Sequence, residues 1–478
     1  MTRRRFLESC GAAAAPAVLS GTSKRNLVFI LSDDHRFDCM GCAGHPWLKT
    51  PAMDRMAQRG ALFRDAFVTT SLCSPSRASI LTGHYVHAHG VMDNVTPPSS
   101  PLATFPEVLQ KHGYRTAFIG KWHMGGDTDA ARPGFERWVS FRGQGQYENP
   151  LINFDGERRK TQGYVSDILT DEALRFIGQN ASRPFFLCLS HKNVHSPNVS
   201  AERHKKLYEK EPIPYPKSMA DTEENYRGRP EWVRRQRKST HGVDGMFNNV
   251  IAFDPFYRQY CRTIASLDES IERVLNELEE KKLLNDALVV YMSDNGFLMG
   301  EHGLIDKRCM YEPSIRVPLL AHCPDLFAGN TRPEGMALNI DIAPTFLEVA
   351  GAPLTPSLHG RSLVPLLRGE KSWRAEFLYE YFWERNYPQT PTVTGLRTTR
   401  YSYMHYHGVW DLDELYDLEK DPDQMNNLMG NVRVTTDDGQ LFTQIKDPEL
   451  KSLVGDLQGR LWKILADTGG RREPVWKA

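Results

Sequence analysis

The sequence predicts an α/β protein: a large, mostly parallel β-sheet flanked by helices, followed by a smaller C-terminal α+β subdomain with an antiparallel sheet. Three observations lead there. Short apolar, β-rich runs recur along the first two-thirds of the chain, helical patterns separate them, and the pattern changes after Gly351. Strands alternating with helices place helices over both faces of a parallel sheet. At 478 residues, with 40% hydrophobic and 10% aromatic content, the chain has the length for one large domain and a companion. The division read from it is 1–24 as an export signal, 25–365 as a catalytic domain and 366–478 as the C-terminal subdomain.

The elements follow in order. Residues 26–32 (NLVFILS) form a buried strand that delivers Asp33 and Asp34 at its carboxyl end. Residues 114–119 lead into Gly120-Lys121-Trp122-His123, and residues 184–190 into the polar cluster 191–195. Residues 201–260 break the rhythm with Pro, Tyr and charged residues, including the basic run 234–238, and read as a surface excursion. Over 260–284, Ile264, Leu267, Ile271, Val274, Leu275 and Leu278 keep an i, i+3, i+4 rhythm, which predicts an amphipathic helix. Residues 287–292 then run into Ser293-Asp294-Asn295-Gly296. Beyond Gly351, residues 400–406 read as a strand, and 414–428 complete the smaller subdomain.

Lys plus Arg and Asp plus Glu both number 59, so the whole-chain charge provides no general attraction to polyanions, and no nucleic-acid partner is expected. Any anion site must be local. The N-terminus reads Thr2-Arg3-Arg4-Arg5-Phe6-Leu7 followed by small apolar residues at 11–19, the pattern of a twin-arginine export signal, which places the mature protein in the periplasm or outside the cell. No other segment has the apolar length of a membrane span. The eight cysteines are scattered rather than arranged as a disulfide framework, and Cys39-Met-Gly-Cys42 reads as ordinary thiols.

In a parallel sheet, ligands collect beyond the carboxyl ends of the strands, and every polar cluster named above sits at such an end. Asp33, Asp34, Asp294 and Asn295 offer only oxygen ligands, which suits a hard divalent ion, Ca2+ or Mg2+, rather than Zn2+. The strongest motif is Cys73-Ser74-Pro75-Ser76-Arg77, with Leu81-Thr82-Gly83 after three further residues. It resembles, at every fixed position, the signature of the formylglycine-dependent (type I) sulfatases of the alkaline phosphatase superfamily, and the resemblance extends over residues 26–428.

That resemblance implies an alkaline-phosphatase-like sandwich fold and a divalent metal, most naturally Ca2+. It also implies a partner: a formylglycine-generating or anaerobic sulfatase-maturating enzyme that converts Cys73 to formylglycine. The hydrated aldehyde attacks sulfur with one hydroxyl and expels sulfate with the other, whereas a serine would be left as a stable sulfate ester. By the same resemblance, Asp33, Asp34, modified Cys73, Asp294 and Asn295 hold the metal, and Arg77, one turn after Cys73, reaches the nucleophile. Lys121 binds sulfate and His123 takes a proton from the diol. His195 and Lys307 hold the sulfate and protonate the departing alcohol. Lys121 and His123, as alternate residues, face one side if extension continues past the strand.

Within the family, residues 84–94 and 401–410 look most like glycan sulfatases of the glucosamine-6-sulfatase kind. The implied substrate is a sulfated sugar of a polysaccharide, attacked in exo fashion. His84, Asp93, Asn94, His302, Arg316, His405 and His407 are the candidate sugar-facing residues. Two other readings stay open: a phosphodiesterase or phosphonate monoester hydrolase of the same superfamily, and a non-catalytic protein that binds sulfated glycans.

Overall fold

The computed structural model describes residues 24–97, 103–354, 357–408, 413–437 and 440–472. The export signal read at 1–24 lies outside the described residues except for Lys24. Among the described residues, no helix is long and apolar enough to cross a membrane, and the seven cysteines there are all free thiols.

The large sheet has nine strands. In chain order they are β1 (Leu27–Ser32), β2 (Ala61–Leu62), β3 (Arg115–Lys121), β4 (Arg137–Phe141), β5 (Leu151–Phe154), β6 (Glu157–Lys160), β7 (Phe185–Ser190), β8 (Leu288–Ser293) and β9 (Leu319–His322). Their spatial order is β2-β9-β8-β1-β7-β3-β4-β5-β6. The centre, β8 to β4, is parallel, and the edges β9, β2, β5 and β6 pair antiparallel. The sheet is therefore mixed, its parallel part lying where the sequence alternates strands with helices.

Strand β1 shows why the centre is buried on both sides. Leu27, Phe29 and Leu31 enter one core with Phe105 and Phe346, while Val28 and Ile30 enter a second core with Ile264, Leu267 and Ile271. Helix α1 (Cys73–Thr82) lies on the first side; α2 (Val165–Asn180) and α3 (Phe253–Glu280) cover the second. Helix α3 starts seven residues before the predicted position 260. Pro255 stands in its first turn, where a missing N–H breaks no intrahelical bond, so it opens the helix instead of stopping it.

The C-terminal part forms a four-stranded antiparallel sheet in chain order, β10 (Glu376–Tyr381), β11 (Thr392–Thr398), β12 (Tyr401–His407) and β13 (Glu414–Asp417). It shares the first core: the Phe67 and Phe377 rings lie 5.2 Å apart, and Glu380 N–H donates to the Thr69 carbonyl at 2.9 Å. The final helix, α4 (Pro448–Asp467), adds Leu457 and Leu461 to that core. The basic run 234–238 is not one solvated face. Arg234 pairs with Asp221 and Glu223 at the surface, but Gln236 and Arg237 are buried, Arg237 in a two-point pair with Asp244. The helical turn around them alternates their direction.

Candidate active site

Four central strands end side by side, and backbone bonds continue past them. Asp33 N–H donates to the Asn193 carbonyl at 2.8 Å, Val194 N–H to the Asp33 carbonyl at 2.6 Å, and Asp294 N–H to the Ser32 carbonyl at 3.1 Å. Residues distant in sequence are thereby fixed in register. Cys73 begins helix α1 immediately above them and is fully buried.

Around Cys73 the ion pairs are close. Arg77 Nε donates to Asp294 at 2.9 Å and Nη2 to Asp33 at 3.1 Å, while Nη1 holds the Lys121 carbonyl at 2.6 Å and Ser190 Oγ at 2.8 Å. Lys121 pairs with Asp33 and with the Gln144 carboxamide oxygen. Lys307 Nζ donates to Asp34 at 2.5 Å and lies 3.3 Å from Cys73 Sγ. His195 Nε2 stands 3.8 Å from Asp34. His123 sits beside Gln144, its Nε2 3.1 Å from the carboxamide nitrogen.

Extension does not continue after β3 as the alternation of Lys121 and His123 assumed. His123 has φ of 50°, a left-handed conformation uncommon for non-glycine residues. The two side chains are joined instead through Gln144.

The electrostatics follow from this crowding. Burial opposes the charge of Asp33, but the cations Lys121, Arg77 and Lys307 outweigh it and hold its carboxyl well below the usual range. Asp34 moves the other way through burial and the neighbouring Asp33, and Asp294 is pushed up to about 6 by burial and Asp33. Burial and Asp33 push the Cys73 thiol up to about 12, so the encoded side chain is protonated at neutral pH and a poor nucleophile. Burial and Lys121 drive His123 down to about 2 and His195 well below its ordinary value. Both imidazoles are neutral.

The acidic residues fit a hard cation. Asp33, Asp34 and Asp294 place carboxylate oxygens within 4.8 Å of one another, all buried. Asn295 donates to Asp34 at 2.6 Å, yet among the described residues no donor reaches its own buried Oδ1. A buried acceptor without a partner beside three carboxylates is the donor set expected around Ca2+ or Mg2+.

The candidate sugar-facing residues do not converge in the same way. Asn94 reaches the centre, accepting from Ser74 N–H at 3.0 Å. Asp93 caps its own turn at Val95 and Thr96. His84 holds the Thr82 carbonyl at the far end of α1 from Cys73, about 15 Å along the helix. His302 and Arg316 line a separate 470 Å3 cavity, which contains none of the residues clustered at Cys73. His405 lies against Asp413 and Trp462, and His407 binds Thr394 Oγ1 at the edge of a groove with Trp232 and Trp383.

Sequence reasoning missed Gln144 and Lys192. Gln144 is bracketed by Gly143 and Gly145 at φ of 52° and 65°. A Cβ on either would strike Asp127 or Phe141, so the Gly-Gln-Gly triplet was a legible sign of a forced turn. Lys192, three residues before His195, is buried over the Tyr147 ring.

Comparison with known proteins agrees with this arrangement. The family described as Sulfatase matches residues 25–352, and that described as N-sulphoglucosamine sulphohydrolase, C-terminal, matches residues 300–451. The chain is 30% identical to an N-acetylglucosamine-6-O-sulfatase of Bacteroides thetaiotaomicron, covering 90% of this chain and 87% of that protein. It is also 30% identical to the human N-acetylglucosamine-6-sulfatase, over 97% of this chain and 90% of the relative. A solved structure in complex with its substrate D-glucosamine-2-N,6-O-disulfate superposes with a TM-score of 0.82 at 28% identity, covering 93% of this chain and 98% of the other. The chain therefore belongs to the sulfatase family.

Proposed function

We propose that this enzyme removes 6-O-sulfate from N-acetylglucosamine or related glucosamine units at the end of a sulfated polysaccharide, using Cys73 as a formylglycine precursor and a bound Ca2+ or Mg2+. The observation that carries the reading is Cys73 itself: a buried thiol at a helix start, 3.3 Å from Lys307, 3.6 Å from Asp33 and pushed up to about 12 by burial and Asp33. Such a thiol is a poor nucleophile as encoded but well placed as a precursor. Formylglycine, when hydrated, supplies two hydroxyls on one carbon, one to attack sulfur and one to expel sulfate. Asp33, Asp34, Asp294, Asn295 and modified Cys73 would hold the cation, which would supply Lewis acidity toward the sulfuryl oxygens.

The chain's own side chains have separate tasks. Arg77 fixes Asp33 and Asp294 and sets the positive field at the start of α1. Lys121 and Lys307 bind sulfuryl oxygens, each already oriented by an aspartate. His123, kept neutral, accepts the proton released as the aldehyde re-forms. His195 starts neutral, takes a proton from solvent as the sulfate ester's charge raises its proton affinity, and donates that proton to the departing sugar oxygen, which leaves as the hydroxyl. Residues 25–365 carry this chemistry, 366–478 form the C-terminal subdomain, and the N-terminal twin-arginine signal exports the folded enzyme.

The test pairs mass spectrometry of the Cys73 peptide from native-host protein with turnover of a substrate panel. Aldehyde at Cys73 and preferred release of sulfate from N-acetylglucosamine-6-sulfate are the expected results. Unmodified Cys73 in active protein would refute the nucleophile. Faster turnover of aryl sulfates or phosphonate monoesters would refute the substrate.

A further inference from the structure

Lys192 has no role in the chemistry above, yet its surroundings demand one. It follows β7 in the same polar cluster as His195. Its neighbour His191 turns toward α3, where Nε2 lies 2.9 Å from Ser270 Oγ, while Lys192 reaches over the Tyr147 ring. The side chain is 2% exposed, its ammonium is 4.9 Å from the centroid of the Tyr147 ring, and Tyr147 OH donates to the His195 carbonyl at 2.7 Å. Among the described residues, no acceptor reaches Lys192 Nζ.

The charges nearby are already matched. Asp33, Asp34 and Asp294 face Arg77, Lys121 and Lys307, each cation paired with at least one carboxylate. Lys192 is a fourth cation close enough to feel Lys121, Asp33, Asp34 and Cys73, but bonded to none of them. Burial and Lys121 push it down to about 8, the mark of an ammonium without an anion. An aromatic face compensates such a charge only in part. Among the described residues nothing supplies the missing anion, and a bound oxyanion would.

We infer that Lys192 is an oxyanion-binding residue that closes on a sulfate group of the bound substrate, on the side of the site where His195 and Tyr147 stand. The inference rests on the sulfatase reading of the site but goes beyond it by naming a fourth cation. The sulfate has two possible sources: the ester being cleaved, or a second sulfate on the same sugar.

Calorimetry on the full-length, metal-loaded chain with Cys73 left as a thiol measures binding without turnover. The probes are inorganic sulfate, N-acetylglucosamine-6-sulfate and glucosamine-2-N,6-O-disulfate. Lys192→Met should weaken binding at least tenfold, with Lys192→Arg restoring part of it. Loss for all three probes assigns Lys192 to the scissile sulfate, and loss for the disulfate alone assigns it to the second one. Lys192→Met should also melt no lower than wild type, because it removes an unpaired buried charge. Unchanged affinity for every probe, or a variant that fails to fold, overturns the inference. Failure of the saccharide proposal looks different: neither sugar binds, while affinity for inorganic sulfate still depends on Lys192.

Discussion

The ends of the parallel strands and the histidines around the C-terminal sheet contain similar residue types but obey different constraints. At the strand ends, Arg77, Lys121 and Lys307 each pair with a carboxylate inside the cluster, Lys192 alone among the described cations there has no acceptor, and backbone bonds between loops set the spacing. Around the C-terminal sheet, His87, His405 and His407 each answer to a local partner: Glu380, Asp413 and Thr394. Convergence marks the first group as a site. Local satisfaction marks the second as structure until a ligand shows otherwise.

Substitution and ligand removal can break this comparison. Cys73→Ala should lower kcat by about 10,000-fold or more, measured as sulfate release, because no neighbouring group replaces the nucleophile. Removing divalent metal with a chelator should reduce activity about 1,000-fold or more, with recovery on adding Ca2+ or Mg2+. Recovery with Zn2+ alone would contradict the all-oxygen donor set.

The peripheral group should respond through stability instead. Burial disfavours a charged His87, but its hydrogen bond to Glu380 and the Glu380 charge outweigh this and raise it above its ordinary value. A raised histidine contributes stability that is fully present below about pH 6.5 and is lost as pH rises through the folded value. His87→Gln should therefore cost about 1 kcal/mol at pH 6 and less at pH 8.5, read from denaturant midpoints. The smallest effect is expected at His405→Ala, whose kcat/KM on the saccharide should stay within about twofold of wild type. A tenfold loss there would move His405 into the substrate site.

Much of the molecule was legible in the sequence. Strand β1 and the acids after it could be read because an apolar run that ends in Asp33-Asp34 has few other uses in a parallel sheet. The start of α3 was harder, since Pro255 is a breaker inside a helix and a good first-turn residue. The antiparallel edges of the large sheet were also hidden, because β2 and β5 are too short to show a periodicity. Arg237 was read as part of a solvated basic run; its burial against Asp244 depends on a fold-back that composition does not encode.

The sequence by itself determined the chemistry that is proposed: residues 73–83 carry the motif read as a nucleophile precursor, and the segments after four strands carry the acids, lysines and imidazoles assigned to it. It did so because reaction chemistry requires particular functional groups at particular spacings. Only the tertiary structure decided which other polar residues share the site. Gln144 and Lys192 are brought beside it, while His84, His302, Arg316 and His405 are not. Side-chain direction at a loop residue depends on backbone turns such as φ of 50° at His123 and on contacts made across hundreds of residues. Neither is written in the local pattern.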